Sequence, residues 1–330
     1  MLKDSYGRRI TDLRVGVTDR CNFRCIYCRA AEPENYEPPE HLLTWPELLR
    51  LCTILGRLGL RKIRVTGGEP LVRAGVEEFV ARLSALGLYE DVAVTTNGYT
   101  LAEKAATLKA AGLNRVNVSL DSLRAERFDA ITRTRGALQR VLAGIDAARA
   151  AGLAPVKVNA VIVRGFNDDE IADFARFARD RGLVMRFIEF MPLDADHIWD
   201  RTRVVTAREM RRALESAGLP LEELPRQYDS ETALRYRFAD GAPGELGLVA
   251  PVSEPFCGKC SRIRLTADGK IRTCLFSRVD HDLRGLVRAG APEREIAGEV
   301  ERIVAMKEDG HHINDSDFAP PSRTMVFIGG

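Results

Sequence analysis

Across 330 residues, 49 Lys and Arg side chains are set against 47 Asp and Glu, a net charge of +2 in a chain that is 45% hydrophobic. That balance gives no mandate for nucleic-acid or membrane binding, and no apolar run reaches the length of a membrane span. The opening MLKDSYGRRI lacks the apolar stretch of a secretory signal, so the seven cysteines are expected in the cytoplasm, as metal or redox ligands and not as disulfides.

From about residue 11 to 191 one plan recurs: a short β-branched run, a loop, then a helix that stops at glycine. The runs are Leu13–Val17, Ile63–Thr66, Val92–Thr95, Val116–Ser119, Val156–Val163 and Val184–Ile188. Gly59, Gly87, Gly112, Gly152 and Gly182 fall where a helix needs a residue that tolerates a left-handed turn. Thr44 with Glu47, and Thr100 with Glu103, fit the Thr-x-x-Glu capping box. Beyond residue 200 the rhythm breaks. A helix is expected over Thr206–Gly218, then short strands at Leu234–Phe238, Leu246–Val249, Ile263–Thr266 and Ile271–Leu275, with a hairpin turn at 267–270. A last helix is expected from Pro292 to Lys307, ahead of a polar tail that ends Met325-Val326-Phe327-Ile328-Gly329-Gly330.

Strands that alternate with helices pair in parallel through right-handed crossovers. Six units are visible, whereas a closed barrel takes eight. The unusual residues all follow strand ends: a cysteine loop after the first, GGEP (Gly67–Pro70) after the second, TTNG (Thr95–Gly98) after the third. SLDS (Ser119–Ser122) and EFMP (Glu189–Pro192) follow the fourth and sixth. A doubly wound open sheet would suit the alternation too, but clustering at one edge matches the C-terminal face of a barrel. The expected fold is therefore α/β, an incomplete (β/α)6 TIM-type barrel over residues 1–195. A C-terminal α+β region, 196–330, closes its open side.

The cysteine loop reads TDRCNFRCIYCRA, with Cys21, Cys25 and Cys28 spaced CxxxCxxC. Three thiolates are one short of the usual set for an iron–sulfur cluster, which leaves one iron open to a small molecule. A zinc site lacking its fourth ligand and a set of buried thiols are the bland alternatives. With Tyr27 before the last cysteine, the segment resembles the radical S-adenosylmethionine (SAM) superfamily. Two glycines in GGEP permit close backbone approach to a ligand, and Glu69 could accept from an ammonium. Ser119 and Asp121 would otherwise be helix caps and Met191 a core filler.

A second trio, Cys257, Cys260 and Cys274, again offers three thiolates; zinc with His281 as fourth ligand stays open. Arg262 and Arg264 stand two apart on an expected strand and share a face, suited to a polyanion. Arg14, Arg64 and Lys157 lie in the first, second and fifth strands, and buried cations are costly unless paired. Cys52 shares a helix face with Leu48 and Leu55 and reads as core. His311 and His312 read as solvated.

The motif set TDRCNFRCIYC, IRVTGGEPLVR, TTNG, VSLDS, RFIEFMP and FCGKCSRIRLTADGKIRTCLF, with the terminal Gly-Gly, resembles the GTP 3′,8-cyclase family of molybdenum cofactor biosynthesis. The segment from about 194 to 232 matches least. The resemblance implies two 4Fe–4S clusters, on Cys21, Cys25 and Cys28 and on Cys257, Cys260 and Cys274. It implies SAM placed by Tyr27, Gly68, Ser119 and Met191. GTP would be bound by Arg14, Arg64, Thr95, Lys157, Arg262, Ile263 and Arg264. An apolar run followed by paired glycine suits insertion into a narrow site, so Gly329 and Gly330 are expected to reach the barrel mouth as accessory residues. The implied partners are an external one-electron donor and a downstream pterin-forming enzyme, with a homodimer allowed and neither nucleic acid nor membrane involved. A peptide-modifying radical SAM enzyme, an electron carrier and a zinc-stabilised binding module are the rival readings.

Overall fold

The computed structural model describes residues 1–32 and 35–329. The first half alternates as expected: β1 (Asp12–Gly16), α1 (Trp45–Arg57), β2 (Lys62–Thr66), α2 (Val76–Ala85), β3 (Asp91–Thr96), α3 (Leu101–Ala110), β4 (Arg115–Ser119), α4 (Ala125–Thr132), α5 (Leu138–Ala150), β5 (Lys157–Ile162), α6 (Ile171–Arg181) and β6 (Val184–Glu189). The strands alternate in burial because their two faces meet different surroundings. Leu13, Val15, Ile63, Val65, Val158 and Phe187 are sealed against the helices, whereas Arg14, Arg64, Lys157, Asn159 and Arg186 occupy the other face. Cys52 is fully buried with Leu48 and Leu55 on α1, so it is core as expected.

The second half comprises α7 (Ala207–Ser216), β7 (Leu221–Leu224), β8 (Ala233–Phe238), β9 (Glu245–Val249), β10 (Arg262–Leu265), β11 (Lys270–Arg272), β12 (His281–Asp282), α8 (Arg284–Arg288), α9 (Glu293–Ala305) and α10 (Met325–Ile328). Its strands do more than cover the open side. β9 adds to β6 and β10 adds to β1, both in parallel, so each edge of the six-stranded unit is continued by the C-terminal region. The sheet runs β12-β11-β10-β1-β2-β3-β4-β5-β6-β9-β8-β7 and does not close on itself. The hairpin expected at 267–270 joins β10 to β11. The expected strand to Leu275 stops at Arg272, which frees Cys274 from the ladder.

Register decides what the inner face carries. Arg14 lies opposite Arg264 on one side and opposite Arg64 on the other. Three guanidinium side chains therefore stand in one row across β10, β1 and β2, on strands ~4.8 Å apart. Asn159 lies opposite Arg186 on the far wall.

Glu189 binds the halves together. Its fully buried carboxylate accepts from Ala207 N at 2.9 Å, Val252 N at 2.8 Å, Ser253 N at 2.9 Å and Ser253 Oγ at 2.5 Å. The end of β6 thus fixes both the start of α7 and the approach to the second cysteine trio.

The five stop glycines all have left-handed backbone, with φ between +63° and +106°. Thr44 and Glu47 form the full capping box, as do Thr206 and Glu209 on α7. Thr100 does not. Its backbone (φ −107°, ψ 6°) is not extended, so the hydroxyl cannot reach the third helical N–H, and Glu103 pairs with Arg140 at 2.6 Å instead. Thr44→Ala should lower unfolding free energy by about 1 kcal/mol in urea titrations. Thr100→Ala, which removes a buried hydroxyl without a partner, should be neutral or slightly stabilising. Equal losses at both positions would show that Thr100 caps after all.

Candidate active site

The first cysteine trio lies in the loop after β1. Phe23 anchors that loop by edge contacts to Tyr99 (5.8 Å) and Phe128 (6.0 Å), while Cys28 N and Arg29 N both donate to Cys25 O. Tyr27 donates its hydroxyl to Asp121 at 2.6 Å, and Asp121 also accepts from Val161 N, so this residue is a brace and not a helix cap. The GGEP loop docks onto the same segment through Gly68 N to Thr18 O (2.7 Å) and Glu69 N to Arg20 O (2.8 Å). A Cβ at Gly68 would lie 2.4 Å from Arg20 O, which only glycine avoids. Close approach is thus required first by the neighbouring loop. Glu69 is already engaged by Leu71 N, Thr96 Oγ1 and Asn97 N.

The second trio approaches from the opposite side. Cys257 and Cys260 occupy a tight turn before β10, closed by Cys260 N donating to Cys257 O at 3.0 Å, and Cys274 follows β11. Both trios border one cavity of about 280 Å³, roughly twenty times the space one water needs. Arg14, Tyr27, Arg64, Gly68, Thr95, Ser119, Met191, Arg262 and Arg264 line it as well. Lys157 instead borders a smaller cavity of about 50 Å³ beneath. Arg14, Arg64, Arg186 and Arg262 line both, so a layer of guanidiniums separates the two. Ile263 is the exception among the expected ligands. It alternates with its arginine neighbours and is fully buried in the apolar core, which leaves only its backbone for a ligand.

Several lining residues escaped the sequence. Lys62, Arg115 and Arg186 join the cationic set, and Tyr228, Ser230 and Thr232, from the segment without a clear match, cover the smaller cavity from below. Lys62 Nζ lies 3.3 Å from the centre of the Tyr228 ring. Arg186 carries a signal like that of Lys157, a cation in a mostly apolar strand. His311 is not solvated as expected. It is half-buried, lines the large cavity, lies 5.3 Å from Phe276 and accepts from Ile313 N at Nδ1. His312 is exposed between Asp309 and Asp315.

Electrostatics distinguish the two ends. Burial, then Glu69, pushes Cys21 up to about 11; burial, then Asp121, raises Cys25. Burial also raises Cys257 and Cys274. Burial acts on Cys260 too, but Arg262 and Lys307 outweigh it and bring the thiol down to about 7. Buried thiols of this kind shed their protons when a metal takes their place. Each trio brings three thiols to the cavity, one short of the four ligands of a closed tetrahedral zinc site. Three thiolates with a fourth position open are the donor set of an iron–sulfur cluster that keeps one iron free for a small molecule.

The cations are held at a cost. Burial, then Arg64, Arg264 and Arg262, depresses Arg14. Burial, then Arg115 and Arg186, brings Arg64 down to about 9; burial, then Arg262, does the same to Arg264. Guanidiniums stay protonated in proteins, so the lowered values reflect the cost of burying like charges beside one another, a cost that an anion would relieve.

The tail enters here. Val326 and Ile328 are buried, Met325 lines the large cavity, and Arg264 donates to Gly329 O. A Cβ at Gly329, whose φ is +80°, would lie 3.1 Å from Thr66 Cγ2. Gly330 lies outside the described residues.

Residues 15–178 match the radical SAM superfamily, and residues 183–313 match the family described as Molybdenum Cofactor Synthesis C. The chain is 45% identical over 345 residues to a GTP 3′,8-cyclase of Paenarthrobacter nicotinovorans, covering 100% of this chain and 97% of that protein. It is 48% identical over 333 residues to a GTP 3′,8-cyclase of Mycolicibacterium smegmatis, with 100% and 92% coverage. Among solved structures, Streptococcus suis SuiB bound to S-adenosylmethionine shares the fold at a TM-score of 0.63 and 13% identity, over 96% of this chain and 76% of that one. No helix among the described residues is long and apolar enough to cross a membrane.

Lys157 supplies a test of the cationic layer. Burial, then Arg186, Arg115 and Arg64, brings its ammonium down to about 7 from 10.5. A depressed base favours the fold when neutral, so this penalty is absent above about 10.5, grows as pH falls from there towards about 7, and is constant below that. A bound polyanion reverses the preference and recharges the amine. Inorganic tripolyphosphate added at pH 8 should therefore take up about one proton, visible as calorimetric heats that change with the buffer's ionisation enthalpy. Lys157→Met should abolish that dependence; buffer-independent heats in the unmodified protein would refute it.

Proposed function

The chain belongs to the GTP 3′,8-cyclase family of radical SAM enzymes, and from that premise we propose how its own residues divide the work. The enzyme converts GTP to 3′,8-cyclo-7,8-dihydro-GTP, the first step of molybdenum cofactor biosynthesis, with SAM and two 4Fe–4S clusters as cofactors. When bound, SAM and its cluster would supply the 5′-deoxyadenosyl radical that removes the C3′ hydrogen; C3′ would then join C8 of the guanine, and one electron from the external donor with one proton from water would complete the dihydro product. Everything else is left to positioning and electrostatics.

Cys21, Cys25 and Cys28 would hold the first cluster, leaving one iron position for SAM. Tyr27, Gly68, Ser119 and Met191 would bind SAM. Cys257, Cys260 and Cys274 would hold the second cluster. Arg14, Arg64, Thr95, Lys157, Arg262, Arg264 and the backbone of Ile263 bind GTP, with Lys62, Arg115 and Arg186 added from the structure. In this reading residues 1–195 make the radical and residues 196–330 carry the second cluster and much of the GTP site. The protein works in the cytoplasm, draws electrons from an external one-electron donor and passes its product to a pterin-forming enzyme, as a monomer or homodimer.

One observation carries the reading: the row Arg264, Arg14 and Arg64, set by strand register inside a cavity that has a thiol trio at each end. Like charges on neighbouring strands repel. A nucleoside triphosphate supplies both the missing negative charge and a base to reach the second trio. An electron carrier needs no such row, and a zinc module needs only one trio.

Cys25→Ala, reconstituted with iron and sulfide, should form no 5′-deoxyadenosine from SAM and reductant; undiminished formation would remove the first trio from the radical-generating role. Replacing Cys257, Cys260 and Cys274 together by Ser should leave SAM binding intact while weakening GTP. Arg262→Ala and Arg264→Ala should each weaken GTP more than guanosine, by about 1.5–3 kcal/mol for a charge-assisted contact. If GTP dissociation constants match those of the unmodified enzyme in equilibrium binding, the second trio is only structural.

A further inference from the structure

Arg323 stands just before α10, at the base of the tail. Its guanidinium donates to both carboxylate oxygens of Asp268, at 3.2 and 2.9 Å, to Asp280 at 3.1 Å and to Glu37 at 3.3 Å. These three carboxylates come from three different segments. Glu37 lies in the stretch between the first thiol loop and α1, Asp268 in the turn of the β10–β11 hairpin, and Asp280 next to β12. The cluster is largely withdrawn from water, with the Arg323 side chain 15% exposed and that of Asp268 4%. Its charges are matched, since Lys270 lies 3.0 Å from Asp268 and Arg272 lies 2.6 Å from Asp280.

Exposed ion pairs contribute little, but a buried guanidinium that bridges three carboxylates orders whatever it is attached to. What it is attached to needs ordering. Chain ends fray by default, and a helix of four residues has no stability of its own. Arg264, on the same hairpin as Asp268, grips the far end of the tail through Gly329 O. The tail is thus held at both ends by one hairpin, with Met325 between them facing the cavity.

We propose that Arg323 is the latch that fixes the C-terminal tail across the active-site cavity, a positioning residue for the transfer of hydrogen from GTP. The inference rests on the reading that the tail serves catalysis. Without the latch the tail detaches, SAM is still cleaved, and the adenosyl radical takes an electron from the external donor and a proton from water, giving 5′-deoxyadenosine without cyclised product.

The test uses the reconstituted holoenzyme and two readouts: cyclised product per 5′-deoxyadenosine formed, and amide hydrogen exchange of residues 325–329. Arg323→Ala should lower the product ratio about tenfold or more, the scale of losing one charged hydrogen-bond cluster. It should speed exchange of 325–329 alone, with iron content and SAM affinity retained. Arg323→Lys, which keeps the charge but cannot span three carboxylates, should fall between. In a chain lacking Gly329 and Gly330, Arg323→Ala should add little further loss, because both changes act through the tail. An unchanged ratio in Arg323→Ala, alongside a failing deletion, overturns the latch while the tail keeps its role. An unchanged ratio in the deletion itself overturns the tail's role and the latch with it. Should Arg323→Ala lose its clusters or exchange globally, Arg323→Lys decides: normal coupling with normal tail exchange refutes the proposal.

Discussion

Three arginines on adjacent strands, Arg264 buried and Arg14 and Arg64 partly so, cannot be understood as packing. In a folded protein without its ligands they repel one another from strands about 5 Å apart, withdrawn enough from water to weaken screening. Asp12 is the one acid among the main influences on Arg14, and it does not offset the neighbouring guanidiniums. The fold tolerates this arrangement because the rest of the sheet is rigid and apolar on its helix side, which leaves the cations nowhere to swing. Stability is given up at the site and recovered around it, as in many binding sites that are complementary to a charged ligand.

The same constraint explains why the C-terminal region is threaded into the sheet on both sides. β10 must lie beside β1 for Arg264 to complete the row, and β9 must lie beside β6 to continue the far wall where Arg186 stands. Glu189 makes that arrangement cooperative. Four donors from two segments depend on one buried carboxylate, so the loop leading to the second trio cannot drift independently of β6. The two trios are consequently parts of one site, although 229 residues separate Cys28 from Cys257 in the chain.

What could be read from the sequence was local. CxxxCxxC, GGEP and the stop glycines declare themselves within a few residues, because the chemistry or the backbone geometry they serve is local too. Strand register is not local. Nothing in the chain shows that Arg14 will face both Arg64 and Arg264, or that Lys62 and Arg115 will join them. Thr100 failed for a related reason: a capping box requires extended backbone at its first residue, and the preceding TTNG turn prevents that. His311 was misjudged because its polar neighbours suggest solvent, whereas its ring is drawn in by Phe276. The stretch around Tyr228 has no motif at all. Its place under the cation layer follows from Glu231, a buried residue that accepts from Gln227 N at 2.8 Å and donates its own N–H to Tyr228 O at 3.0 Å.

The polarity of the cavity gives these pieces a common purpose. At the first trio the nearby charges are acidic, with Glu69 acting on Cys21 and Asp121 on Cys25. At the second they are basic, with Arg262 and Lys307 drawing Cys260 down. SAM brings a sulfonium and an ammonium, whereas GTP brings a polyphosphate. On the proposed assignment, such a gradient would sort two ligands of opposite charge within one cavity before any specific contact forms, since each would be repelled from the other's end. Burial, with Glu69 beside Cys21 and Asp121 beside Cys25, also disfavours thiolates at those two positions until a metal claims them. The basic end favours a thiolate at Cys260 beforehand. The two trios have the same number of ligands, but the charges around them suit each to a different ligand.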